Sequence, residues 1–137
     1  MHIVIDSNVL FAALIKDSTT RGIILEYDGF FLFPEIIFEE VEEYKLDLLR
    51  KSEMEEKAFG LLFGLILRKV IIVPTELLDP YYDESDKLAK SVESPEDQLF
   101  FACALAYSCS VLWSNDKKLR RQTKVKVITT SEMATLL

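Results

Sequence analysis

Acidic side chains outnumber basic ones in the 137-residue sequence, with 23 Asp and Glu against 16 Lys and Arg and a net charge of −7. Four of the acids stand where carboxylates could work together. Asp6 closes the short run HIVI, Asp97 follows Ser94-Pro95-Glu96, Asp116 lies three residues past Trp113, and Glu40 sits among several glutamates in a helical stretch. Carboxylate oxygens are hard ligands suited to Mg²⁺ or Mn²⁺. A cation held this way makes water a better nucleophile and offsets the charge of a phosphate. That chemistry would reconcile an acidic chain with a polyanionic substrate, since a passive nucleic-acid binder is normally basic.

Other chemistries lack their parts. The only histidine is His2, at a position that suits an edge or terminus, so Ser-His and Cys-His arrangements fail. Cys103, Cys109 and His2 cannot make the usual four ligands of a zinc site. Both cysteines lie in the apolar segment FACALAYSCSVLW and read as small buried hydrophobes in a reducing cytosol. The longest apolar run, Ala58 to Leu67, is about half of the roughly 20 residues a membrane span needs. The opening MHIVID lacks the basic and apolar regions of a secretory signal. A composition 50% hydrophobic and 28% charged suits one core, so we expect a single cytoplasmic domain over residues 1–137, with no membrane partner.

The elements that must position the acids follow from periodicity. Residues 2–5, 30–33, 70–73, 110–113 and 124–128 are apolar runs that predict five strands. Val9, Leu10, Ala13 and Leu14 carry helical spacing directly after Asp6, and a break with an N-cap at Asp17 to Thr20 leads to a second short helix. Pro34 suits the first turn of a third helix running to about Lys51, with Glu35 near its positive dipole end. Ser52 and Glu55 read as the capping box of a fourth, which turns apolar all round and is expected to be buried or docked on a partner. Leu77 to Ser91 reads as a loop and then a helix around Glu84 to Lys90. Ser94-Pro95-Glu96-Asp97 opens a helix to about Tyr107, a short basic helix follows Asp116, and Thr130 or Ser131 caps a last helix to Leu137. Helices alternating with uniformly apolar strands indicate one α/β domain with a parallel sheet covered on both faces.

In such sheets the reactive crevice lies at the carboxyl ends of the strands. Asp6 ends the first strand, Asp116 follows the fourth, and Asp97 opens the helix between them. Taken singly, Asp116 could be a helix N-cap and Asp97 a first-turn dipole acid. Their joint placement makes the case. In the third helix, Ile37, Val41, Tyr44 and Leu48 form one apolar stripe at about 100° per residue. Glu40 lies roughly 60 to 70° from its centre, whereas Glu39 and Glu42 fall nearly opposite, so Glu40 is the acid expected to reach inward.

The segments IDSNVL at Asp6, PEIIFEEV with Glu40, SPEDQLFFACALA with Asp97 and VLWSNDKKL with Asp116 resemble, in that order, the motifs of PIN-domain proteins, a nuclease family that includes the VapC toxins. The closing VKVITTSEMATLL is similar to the family's last strand and helix, so the resemblance spans the chain. It implies a three-layer α/β/α sandwich around a parallel five-stranded sheet. It also implies metal-binding and catalytic roles for Asp6, Glu40, Asp97 and Asp116, which would hold one or two Mg²⁺ or Mn²⁺ ions and hydrolyse single-stranded RNA to a 5′-phosphate and a 3′-hydroxyl. Ser7, Asn8, Ser114 and Asn115 match polar positions lining the same site. Lys117, Lys118, Arg120 and Arg121, with Lys124 and Lys126 beyond them, follow the site directly and could guide substrate phosphates or form an ordinary solvated face.

Several readings stand open beside one another. The ribonuclease could be a toxin with an antitoxin as partner or an RNA-processing enzyme. A non-catalytic PIN scaffold would bind RNA or protein in a larger assembly. A phosphoacceptor receiver domain wants an Asp after the third strand, where Val73-Pro74-Thr75 stands, and a haloacid-dehalogenase-type phosphatase wants one two residues past Asp6, where Asn8 stands. The apolar stretch Ala58 to Leu67 either completes the core or makes a homodimer contact.

Overall fold

Short runs of β-branched and aromatic residues, unbroken by polar ones, make strands that must be covered on both faces. The computed structural model describes residues 1–15 and 18–136, with Ser18 described in its backbone alone. Its five strands are β1 (His2–Ile5), β2 (Phe31–Pro34), β3 (Val70–Val73), β4 (Ser110–Trp113) and β5 (Lys126–Ile128). They form one parallel sheet in the order β3-β2-β1-β4-β5. Helices α1 (Ser7–Ile15) and α2 (Ser18–Glu26) join β1 to β2, while α3 (Ile37–Ser52) and α4 (Glu56–Leu67) join β2 to β3. Helices α5 (Thr75–Leu78), α6 (Tyr82–Ser91) and α7 (Gln98–Ala106) lead to β4, and α8 (Thr130–Leu136) follows β5. Helix α7 packs on β1, β2 and β4 with α5 and α6 against it; α1 to α4 pack on one another across the other face, with α2 on α8. This is a three-layer α/β/α sandwich.

The core is aromatic at its centre. Phe31, Phe33, Phe101 and Trp113 are fully buried, with Phe31 and Trp113 ring centroids 5.8 Å apart and Phe33 meeting Phe100 edge-on at 5.2 Å. Strand β1 is central, and the chain runs outward from it in both directions, to β2 and β3 on one side and to β4 and β5 on the other. Connections therefore diverge at β1 and β4. A crevice opens at the carboxyl ends of such a pair.

Several local expectations are corrected. Pro34 ends β2 instead of opening a helix, and Glu35 and Ile36 form a turn before α3. The amides of Phe31 and Glu35 donate toward β3, so alternation points position 34 toward β1, whose pairing with β2 has already ended at Leu32. A missing N–H there costs no ladder bond. The Glu35 carboxylate accepts from the Thr75 amide at 2.7 Å, which holds it below the usual range, and so clamps the start of α5. Ser52 ends α3: its hydroxyl donates to the Leu49 carbonyl at 3.0 Å and accepts from the Met54 amide at 3.2 Å, while Glu53 closes the helix in the left-handed region. Helix α4 buries Phe59 and Ile66 but leaves Leu61 65% exposed. Residues 77–91 are helical throughout, because Asp79–Tyr81 forms a 3₁₀ turn between α5 and α6. Cys103 is buried, its thiol pushed up to about 12 by desolvation, but Cys109 is exposed in a turn with φ 54°. The break expected at Asp17 lies outside the described residues, as does Leu137.

The cap of α8 lies one residue earlier than expected. The Glu132 amide donates to Thr129 Oγ1 at 3.3 Å and the Thr129 amide donates to Glu132 Oε1 at 3.2 Å, a reciprocal capping box. Thr129→Ala should cost about 0.5 to 2 kcal/mol in a urea titration, whereas Ser131→Ala should cost almost nothing. Equal losses would place the cap elsewhere.

Candidate functional site

Asp6 occupies the last position before β1 gives way to α1 and is 3% exposed. Its amide donates to the Trp113 carbonyl at 3.0 Å, which locks the end of β1 to the end of β4. That register brings Ser114 alongside. Ser114 Oγ donates to Asp6 Oδ2 at 2.7 Å and accepts from the Asp116 amide at 3.1 Å, so one hydroxyl ties together acids that follow two different strands. Burial pushes the Asp6 carboxyl up to about 6; Ser114 and the amides of Ser7 and Asn8 offset part of that, while the nearby Asp97 charge adds to it.

Asp97 ends the 3₁₀ turn Pro95–Asp97 and is the residue before α7. It is buried, yet its side chain caps no helix amide. Ser94 Oγ donates to its carboxylate instead, and Glu96 Oε1 lies 2.9 Å from the same hydroxyl. Desolvation raises the Asp97 pKa, the Ser94 bond lowers it, and Glu96 and Asp116 raise it further, with Lys118 opposing them. Glu40 is half-buried on α3. Its pKa is raised by desolvation, lowered by the neighbouring Ser7 hydroxyl, and raised by Asp97 and Glu43. Asp116 Oδ1 accepts from the Lys118 amide at 3.0 Å and so does cap the 3₁₀ turn Lys117–Arg121. The cap uses one oxygen; the residue also borders the crevice.

All four acids line one cavity of about 780 Å³, together with Ser7 and Asn8. Ser114 stands behind the wall through its bond to Asp6. Asn115 turns away: its amide group donates to Thr130 Oγ1 at 3.0 Å and its carbonyl accepts from the Thr130 amide at 2.8 Å. None of Lys117, Lys118, Arg120 and Arg121 lines the cavity. Arg120 is engaged with Glu132 and the Val127 carbonyl, while the Lys118 charge lowers the pKa values of Glu96 and Asp97. Phe11, Tyr44 and Lys51 also line the cavity and were not singled out for the site from sequence, although Tyr44 and Lys51 follow Glu40 at four and eleven residues along one helix.

The donor set fits a hard divalent cation. Among the described residues none of the four acids forms an ion pair with Lys or Arg, and the buried Ser7 hydroxyl makes no hydrogen bond, although it lies near enough to Glu40 to depress its pKa. Carboxylates gathered in one crevice without an ion-pair partner favour a positive charge there. Among the described residues no group of three or more His, Cys, Asp or Glu side chains already stands in the geometry of a metal site. The charge of Asp97 raises the pKa values of Asp6 and Glu40, and that of Asp116 raises the pKa of Asp97.

The family model described as PIN domain matches residues 4–137. No curated protein and no solved structure gives a significant match. The chain belongs to the PIN domain family, a nuclease-type family whose members generally use divalent metal ions. Among the described residues no helix is long and apolar enough to cross a membrane.

A folded-state pKa of about 6 against 3.8 means that folded Asp6 keeps a proton the unfolded chain releases. Its contribution to stability is complete below pH 3.8 and is lost as the pH rises through 6. In EDTA, Asp6→Asn should therefore match the wild type near pH 4 and exceed it at pH 7.5, by on the order of 2 to 3 kcal/mol in urea titrations. A difference that does not change with pH would mean that Asp6 is not a strained carboxylate.

Proposed function

We propose that the chain is a metal-dependent endoribonuclease that hydrolyses single-stranded RNA. The observation that carries this reading is the convergence of Asp6, Glu40, Asp97 and Asp116 on one cavity with no described Lys or Arg paired to any of them. Membership of the PIN domain family supports it. The four acids would hold Mg²⁺ or Mn²⁺, which when bound supplies charge neutralisation at a phosphate and a more acidic water.

The remaining residues orient the acids. Ser114 fixes Asp6 and the start of the Asp116 turn in one arrangement, and Ser94 fixes Asp97. The Lys118 amide takes Oδ1 of Asp116 and leaves Oδ2 for the cavity. Lys118 contributes positive charge beside Glu96 and Asp97. A cavity of about 780 Å³ lies within the usual range of ligand sites and leaves room for an unpaired nucleotide. In the hydrolysis a water oxygen bonds to phosphorus and the bond to the 3′ oxygen breaks, so that one fragment keeps the phosphate on its 5′ end and the 3′ oxygen of the other takes up a proton in exchange for the one the water gives up.

Cleavage of single-stranded RNA in Mn²⁺, and its absence in EDTA, is the direct test. Mn²⁺ at one hundred times its Kd should also stabilise the folded protein by about 2.7 kcal/mol in thermal melts. The helical phase of α3 supplies an internal control. Glu40→Gln should lower kcat/KM by roughly 10- to 100-fold or more, the range set by loss of an outer-shell metal partner, while the exposed Glu39→Gln should leave it nearly unchanged. Wild-type protein that neither binds Mn²⁺ nor cleaves RNA would favour a non-catalytic scaffold.

A further inference from the structure

The cavity extends well beyond the acids. Along α3 its lining runs Glu40, Glu43, Tyr44, Asp47, Leu48 and Lys51, and along α1 it continues past Asn8 to Phe11. Residues four apart on a helix share one face, so Tyr44 stands about 6 Å along the axis from Glu40. It belongs to the apolar stripe of α3, whose other members Ile37, Val41 and Leu48 are buried, yet Tyr44 is 46% exposed. Phe11 supports it from α1, with ring centroids 5.8 Å apart and planes inclined at 63°. The result is a braced aromatic ring, half open to the cavity, one helical turn from the carboxylates. At the far end Lys51 pairs with Asp47 at 3.0 Å, both largely exposed, in a contact of the weak kind that a phosphate could displace.

Unpaired bases bind by stacking on aromatic rings, with little dependence on which base it is, and a base inside a duplex has no free face to offer. We propose that Tyr44, braced by Phe11, is a stacking subsite for an unpaired base of the RNA strand beside the phosphate that meets the acids. The proposal rests on the ribonuclease reading and deepens it: it gives the site a reason to select single strands without selecting a sequence. An apolar side chain of a protein partner would need only an oily wall. The ring's position directly beside the acid cluster, with a cation further along the same helix, suits a strand of alternating bases and phosphates better.

The test compares wild type, Tyr44→Leu and Tyr44→Trp on two substrates in Mn²⁺, a single-stranded RNA and a sugar-phosphate oligomer of the same length without bases. Leucine keeps the apolar contact with Phe11 and removes the π face; tryptophan enlarges it. Tyr44→Leu should raise KM for RNA by roughly tenfold with kcat little changed, Tyr44→Trp should keep or lower it, and the three proteins should coincide on the baseless oligomer. Fluorescence anisotropy with the same RNA in an Asp116→Asn background should give the same ranking. Should Tyr44→Leu fail to fold, wild type against Tyr44→Trp on the two substrates carries the same comparison. An unchanged KM for RNA, or an equal loss on the baseless oligomer, overturns the subsite. Wild-type cleavage that is indifferent to Tyr44 removes the subsite alone, whereas wild-type protein that cleaves neither substrate removes the ribonuclease reading with it.

Discussion

A carboxylate held almost out of solvent at the end of the central strand is the constraint around which the other features are arranged. Desolvating a charged group costs several kcal/mol unless hydrogen bonds or a counter-charge offset it. The structure supplies hydrogen bonds to Asp6 from Ser114 and from the opening turn of α1, and these leave its pKa at about 6, well above that of a solvated aspartate. A fold concerned only with its own stability would put an apolar side chain there. The chain instead surrounds Asp6 with further acids, so the unmet charge is built in rather than incidental. Divergence of the chain at β1 and β4 makes this arrangement available, because it brings the residues following both strands to one rim.

On the proposed ribonuclease reading, the same constraint would let so acidic a chain act on a polyanion. Among the described residues six cations stand in surface pairs: Lys45 with Glu56, Arg50 and Lys51 with Asp47, Lys90 with Asp86, Lys124 with Glu84 and Arg120 with Glu132. Such exposed pairs contribute little stability and are screened by salt. They leave the cavity electronegative, apart from Lys118 near the rim and Lys51 at its far end. On that reading an RNA strand approaching the metal-free cavity would meet repulsion, and a bound cation would oppose it. Metal affinity and RNA affinity should therefore be coupled in this protein, with the aromatic wall adding an uncharged component that salt does not screen.

The layered α/β class was legible because it depends on local runs: five apolar strands separated by helical periodicity leave few alternatives. The meeting of Asp6, Asp97 and Asp116 at one rim could also be read, since parallel strands send all their carboxyl ends to the same edge, and the helical phase singled out Glu40 from its neighbours. What escaped depends on partners distant in sequence. Pro34 reads as a helix opener until β3 is seen to pair with it, and Asn115 reads as a site residue until Thr130 takes both ends of its amide. Arg120 looks free until Glu132 is beside it. Tyr44 was read as core because stripe position fixes a side chain's direction but not what covers it, and here the cavity lies over the ring. The cap of α8 was misplaced by one residue because Thr129, Thr130 and Ser131 are chemically similar, and only the return bond from Glu132 distinguishes them.

On the proposed reading these carboxylates form a cation site whose charge is unmet without metal. Binding a metal to carboxylates with raised pKa values must release the protons they hold. Calorimetric titration of Mn²⁺ into the protein at pH 6, repeated in two buffers of different ionisation enthalpy, measures that release directly. Saturable binding is expected, with a substantial fraction of a proton released per protein at pH 6 and much less at pH 7.5, where Asp6 is already ionised. Absence of binding, or binding with the same proton release at both pH values, would contradict it.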